Sequence, residues 1–132
     1  MSAYKQKFEN YKNALKKLNE GLKRLEYEDD LLRDGIIQRF EFTFEIAWKT
    51  LKAIFEDEGL IGLNSPKTVL REAFSAGIIR NEELWLSMLR DRNSTTHIYS
   101  EEMAKKICLN IEEKYTETLN NLMLEIERRK FD

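Results

Sequence analysis

The sequence predicts an all-α fold, an antiparallel up-and-down bundle of four or five helices forming one domain over residues 1–132. Three observations predict it. Apolar residues recur in alternating steps of four and three over long stretches, the signature of a helix stripe. Five glycines and a single proline punctuate 132 residues, too few for the many turns of a sandwich or barrel. No run alternates apolar and polar residues as a half-buried strand does, and no internal repeat or low-complexity tract interrupts the chain.

The first helix has the clearest periodicity. Tyr4, Phe8, Tyr11, Leu15, Leu18, Leu22 and Leu25 fall along one stripe, with Lys, Glu, Asn and Gln between them. A second helix is expected to start at a cap provided by Asp30 or Asp34 and to run to about Glu58, where Gly59 offers a left-handed stop. Its pattern is two-sided. Ile37, Phe40, Phe44, Trp48, Leu51 and Phe55 form one face, while Phe42, Ile46 and Ala53 form another. A helix apolar on two sides is covered on two sides, and in a chain of this size a second copy of the same chain is the expected cover.

Ser65-Pro66 is a capping hydroxyl followed by proline in the first helical position, so a third helix starts there and carries Val69, Leu70, Ala73 and Phe74 inward before Gly77 ends it. Asn81-Glu82-Glu83 opens a fourth, with Leu84, Trp85, Met88 and Leu89 inside. That helix is expected to fray at Arg92-Asn93-Ser94-Thr95-Thr96, a polar stretch unlike its flanks. Ser100 then caps a last long helix whose face reads Ala104, Ile107, Ile111, Tyr115, Leu119, Leu122 and Ile126, with Cys108 as inert core beside them.

Charge and composition exclude several functions. Lys and Arg total 22 against 24 Asp and Glu, a formal charge of −2, so no general basic coat for nucleic acid exists and any RNA contact is local. Arg39, Arg71, Arg80, Arg90 and Arg92 are the candidates for such a patch. One cysteine excludes a disulfide framework and fits a reducing compartment. Neither the N-terminal Met1-Ser2-Ala3-Tyr4-Lys5 nor any other stretch has an apolar run of signal-peptide or membrane-spanning length, so the expectation is a soluble, cytoplasmic protein with no membrane association.

The polar stretch between the last two long helices holds Arg90, Asp91, Arg92, Asn93, His97 and Tyr99. His97 is the only histidine, so no multi-histidine metal site can be assembled, and neither a metal nor a cofactor is expected. If the break bends, the Arg92 guanidinium comes back to the imidazole. Such a pair suits one reaction: RNA cleavage requires a base for the 2′-hydroxyl proton and a fixed cation for charge on the phosphate. The residues alone leave two readings open. A lone histidine between helices is more often a surface residue, and arginines beside acids are ordinarily solvated partners of Glu82, Glu83 or Asp91.

Arg92-Asn93-Ser94-Thr95-Thr96-His97 resembles the Arg, four to six residues, His signature of HEPN domains, with a polar residue directly after the arginine. The continuation through Ile98 to Tyr99 is similar to the narrower Arg-x4-His-x-Tyr form of HepT toxins, also called nucleotidyltransferase substrate-binding proteins. Gly35-Ile36-Ile37-Gln38-Arg39-Phe40-Glu41-Phe42-Thr43-Phe44-Glu45, Ser65-Pro66-Lys67 and Arg71-Glu72-Ala73-Phe74 carry the same resemblance, which covers nearly the whole chain.

The resemblance implies a helical bundle that forms a homodimer or higher oligomer, with the motifs of two subunits facing a shared cleft. It implies a metal-independent endoribonuclease toxin acting on RNA, with Arg92 and His97 as the catalytic pair and Asn93 as the supporting polar neighbour. Tyr99 is then the residue to which a minimal nucleotidyltransferase antitoxin attaches AMP. The alternative is a non-catalytic substrate-binding subunit of that nucleotidyltransferase. A third possibility, a purely structural oligomerisation module, leaves the coincidence of Arg92, His97 and Tyr99 unexplained.

Overall fold

The computed structural model describes residues 4–98 and 100–129. Helix α1 (Tyr4–Leu22) is followed by α2 (Asp30–Asp57), α3 (Pro66–Ser75), α4 (Glu82–Ser94) and a 3-10 turn (Thr95–His97). The last rod comprises α5 (Glu101–Asn110), a π-helical turn (Ile111–Tyr115) and α6 (Thr116–Arg129), which run on from one another without a break. Five helical rods result, and there is no strand among the described residues. The all-α bundle expected from the periodicity is what the chain forms.

Most helix starts obey the expected chemistry. Ser65 makes a full capping box with Thr68 ahead of Pro66, Asn81 accepts from the Leu84 N–H at 3.1 Å, and Ser100 accepts from the Met103 N–H at 3.1 Å. The second helix departs from expectation. Its cap is Asp29, not Asp30 or Asp34: Asp29 is extended and accepts from the Leu31 and Leu32 N–H groups, whereas Asp30 is already the first helical residue. Gly59, with φ at 93°, sits just beyond the cap of α2 in the left-handed region.

One core joins all the rods. Tyr11, Leu15 and Leu18 of α1 pack with Phe40, Phe44, Leu51 and Ile54 of α2, Leu70 of α3, Trp85 and Met88 of α4 and Ile111, Tyr115 and Leu119 of the last rod. The α1–α2 pairing is the most extensive in the molecule, and α2 also packs against α3, α4 and α5. The expected stripe of the last rod is buried at every position from Ala104 to Ile126.

Three positions differ from expectation, two expected inward and one expected on the outer face of α2. Leu25 lies beyond the end of α1 and is only partly buried, and Phe74 on α3 is 43% exposed. Ala53 does not belong to a second, unpartnered face of α2, because it is buried within this chain's own core. Phe42, by contrast, is 59% exposed and Ile46 is half-buried, so the outer apolar strip of α2 reduces to these two residues. A shallow groove of about 380 Å³ lined by Ala14, Lys17, Gly35, Gln38 and Arg39 lies alongside Phe42.

No helix of the described residues is long and apolar enough to cross a membrane.

Candidate functional site

Helix α4 does not fray where its composition turns polar. It continues through Arg92, Asn93 and Ser94, then tightens into the 3-10 turn ending at His97. The expected bend between Arg92 and His97 is therefore absent. The chain changes direction only after His97, where Ile98 is extended (φ −84°, ψ 113°) and leads to the Ser100 cap of α5. Local bonds help the polar stretch stay helical: the Ser94 hydroxyl donates to the Asp91 carbonyl at 2.9 Å, and the Thr95 backbone N–H donates to the Arg92 carbonyl.

Arg92 faces α2. Its Nη2 donates to Glu45 Oε1 at 3.1 Å, and its Nε is buried with no bonded partner among the described residues. Both side chains of the pair remain about one-third exposed, 35% for Arg92 and 28% for Glu45. Glu45 is itself held: Trp48 Nε1 donates to its Oε2 at 3.1 Å, and Lys49 Nζ lies 3.6 Å from the same oxygen. One turn earlier on α2, Glu41 accepts a short hydrogen bond from the Thr95 hydroxyl at the start of the 3-10 turn. Two carboxylates four residues apart on α2 thus grip two residues three apart at the end of α4, the spacing at which helical side chains share a face.

Asn93 and His97 are both exposed. The hydrogen bond made by Arg92 goes to Glu45 and not to His97. With α-helical steps of about 100° to Ser94 and 3-10 steps of about 120° from there to His97, the two side chains leave the rod on opposite sides. Tyr99, the candidate acceptor of AMP, lies outside the described residues.

Beneath the motif lies a polar network that the sequence reading did not anticipate. Asp91 is not a solvated partner for its neighbouring arginines. Its Oδ2 accepts from the Tyr115 hydroxyl at 2.6 Å and from Asn110 Nδ2 at 3.2 Å, and the Tyr115 oxygen also lies 2.9 Å from Ser87 Oγ. Tyr115 stacks on Phe40 with ring centroids 5.4 Å apart. Burial first, and then the bond to the Asp91 carboxylate, push the Tyr115 phenol up to about 12. The network ties the motif end of α4 to the π turn of the last rod. A partial signal was present: Asp91 stands between two arginines in a segment with few other anchors, and Tyr115 is the only tyrosine on the last stripe.

The other arginines are dispersed. Arg39 donates to the Lys17 carbonyl at 2.6 Å, and Arg80 lines a separate cleft of about 530 Å³ between the start of α4 and α6, together with Asn81, Asn121 and Arg128. That cleft is roughly 15 Å along α4 from Arg92, given ten residues of helix rise. No group of three or more His, Cys, Asp or Glu among the described residues is placed to hold a metal ion. Cys108 is fully buried, and burial pushes its thiol up to about 11, so it is poorly disposed to act as a nucleophile.

A helical bundle with an Arg-x4-His motif where its fourth helix ends defines the class of protein. Residues 6–128 match the family model of nucleotidyltransferase substrate binding protein like chains. The chain is 31% identical over 107 residues to the Haemophilus influenzae protein named Probable ribonuclease HepT, covering 78% of this chain and 73% of that one. A Thermus thermophilus protein of known structure superposes with a TM-score of 0.80 at 38% identity, covering 89% of this chain and 99% of its own. Two more distant structures share the fold. One is a chain of the MntA–HepT toxin–antitoxin complex (TM-score 0.79, 16% identity, 95% and 97% covered). The other is a Haemophilus influenzae protein described as having the fold of a substrate binding domain of a nucleotidyltransferase (TM-score 0.74, 23% identity, 91% and 98% covered). The chain belongs to the nucleotidyltransferase substrate-binding protein family, as a HepT-like member.

The network makes a measurable demand on stability. Tyr115→Phe leaves Asp91 with Asn110 alone and is expected to cost about 1–3 kcal/mol, read by urea denaturation at pH 8. Because the folded-state phenol titrates above its ordinary value of 10, its contribution is complete below pH 10 and fades as pH rises towards 12. The gap between wild type and variant therefore narrows over that interval; a gap that stays constant would refute the assigned cause.

Proposed function

We propose that this chain is the ribonuclease toxin of a toxin–antitoxin pair, a metal-independent endoribonuclease that uses Arg92 and His97 and is silenced by AMP transfer to Tyr99 from a nucleotidyltransferase partner. The observation that carries the reading is the end of α4: an Arg92 guanidinium one-third exposed, followed by an exposed His97 on the next turn. The family, and the relative named Probable ribonuclease HepT, support it.

In this mechanism the His97 imidazole takes the proton of a ribose 2′-hydroxyl. The freed oxygen attacks the adjacent phosphorus, and the bond to the 5′-oxygen breaks. One product carries a 2′,3′-cyclic phosphate, and the 5′-oxygen leaves as a hydroxyl after taking up a proton. Arg92 stabilises charge on the non-bridging oxygens through charge-assisted hydrogen bonds, and Asn93 lines the approach. Because Arg92 and His97 of one chain point apart, a second copy supplies what one lacks: two motifs meeting at a seam bring each guanidinium within reach of the phosphate next to the 2′-hydroxyl that the other chain's imidazole deprotonates. Phe42 and Ile46 form the exposed apolar strip of α2, beside α1, and this strip is the seam favoured here.

Silencing follows from charge and bulk. The Tyr99 phenol oxygen bonds the α-phosphorus of ATP and pyrophosphate leaves, adding a phosphodiester two residues from His97 where an RNA phosphate belongs. One observation favours a second reading, the non-catalytic substrate-binding subunit: Arg92 is already paired with Glu45, and Glu41 adds another negative charge nearby.

Three outcomes test the proposal. Purified protein without its partner cuts single-stranded RNA in EDTA, and His97→Ala or Arg92→Ala reduces cleavage at least about 100-fold with the fold intact; intact RNA with the wild type leaves the binding-subunit reading standing. After co-expression with the partner, peptide mass spectrometry finds AMP on the Tyr99 peptide, and modification elsewhere rejects that assignment. Phe42→Glu, or Ile46→Glu, turns the oligomer into monomers by light scattering; an unchanged mass places the seam elsewhere.

A further inference from the structure

We infer that Glu45 is a positioning residue that holds the Arg92 guanidinium in one orientation for the phosphate. This rests on the ribonuclease reading for its function, although the grip itself is a property of the fold.

The geometry is that of a fixed carboxylate gripping one edge of a mobile cation. An arginine on a helix surface has several rotatable bonds and offers five N–H donors. Glu45 engages a single one, through Nη2 at 3.1 Å, which restrains the end of the guanidinium; apart from the buried Nε, the other donors stay unengaged among the described residues. The carboxylate can act as a reference point because its other oxygen is held by Trp48, a residue only 8% exposed and therefore locked in the core. Nε is buried without a bonded partner while the side chain as a whole is 35% exposed, so the base of the guanidinium is enclosed and its Nη end, the part Glu45 grips, is what can move. Glu41 treats the other half of the motif alike, holding Thr95 and with it the turn that ends at His97.

Positioning and charge competition predict opposite outcomes, and this makes the inference testable. If Glu45 only competed with RNA for Arg92, removing it would tighten RNA binding and raise or preserve the rate. If it positions Arg92, removing it lets RNA bind as well or better, since a negative charge has gone, but the guanidinium no longer meets the phosphate squarely.

The full-length protein is assayed on a short single-stranded RNA oligonucleotide in EDTA as wild type, Glu45→Ala and Glu45→Gln. Glu45→Ala is expected to lower kcat by about 10- to 100-fold, with KM unchanged or lower and with melting temperature and oligomeric mass preserved. Glu45→Gln keeps an oxygen acceptor and is expected to recover kcat to within about fivefold of wild type. An unchanged or raised kcat in Glu45→Ala overturns the inference, as does an equal loss in both variants accompanied by a lower melting temperature. Nitrogen-15 NMR of the Arg92 guanidinium supplies the readout that needs no cleavage. Rotation of its end is slow in the wild type and fast in Glu45→Ala if the grip is real, and equally fast in both if it is not. Should the wild type cut no RNA, the ribonuclease reading fails while this measurement still decides whether Glu45 holds Arg92.

Discussion

Helix α2 carries the constraint on which the rest of the molecule depends. It is 28 residues long and packs against α1, α3, α4 and α5, so its inner side must be apolar for nearly its whole length. Phe40, Phe44, Leu51 and Ile54 meet that demand and are almost completely buried. A helix so committed on one side has few positions left for polar work. Glu41 and Glu45 occupy two of them, on the edge where α4 comes alongside. The same packing that buries Phe44 against Trp85 sets the height of α4 against α2, and hence which residues of α4 the carboxylates reach.

A second tie acts from the opposite side. The stripe of the last rod steps from Ile107 to Ile111, Tyr115 and Leu119, three consecutive intervals of four. An ordinary α-helix would drift around its axis over that run, since four residues exceed one turn. The wider π turn at Ile111–Tyr115 absorbs the excess and keeps every stripe residue on the core. It also sets Asn110 and Tyr115 where both reach Asp91. A half-buried carboxylate gains from donors, and these two bring α4 down onto the last rod just beneath the motif. The end of α4 is therefore fixed from two directions, by α2 through Glu41 and Glu45 and by the last rod through Asp91.

Magnitudes separate what these contacts do for stability from what they do for the site. The Arg92–Glu45 pair is one-third exposed, and such pairs contribute about 1 kcal/mol at most. Burial of the core side chains, each contributing about 1.5–3 kcal/mol, holds the bundle together without it. The pair's consequence is orientation: it decides where a guanidinium points at a surface where the chain changes direction. In the ribonuclease reading, the acids beside Arg92 also limit how strongly one chain alone attracts a polyanion, which suits a site completed by a second copy.

Much of this was legible in the residues themselves. Helix stripes, caps at Ser65, Asn81 and Ser100, and the stop at Gly59 are local matters of periodicity and backbone chemistry, and a sequence expresses them directly. The Arg92-to-His97 motif was equally visible, because its spacing is a property of one short segment. Other features were decided only when the helices packed. The stretch from Arg92 to His97 is helical and not a bend, and to its local bonds are added those of Glu41 and Glu45, some fifty residues earlier, which hold it from across the bundle. Ala53 turns inward while Phe42 stays out, a distinction that periodicity cannot draw when both faces of a helix are apolar. Local pattern thus determined which segments are helices and where chemistry is concentrated; contacts between residues distant in sequence determined what each polar side chain faces, because only tertiary packing brings a partner within hydrogen-bonding distance.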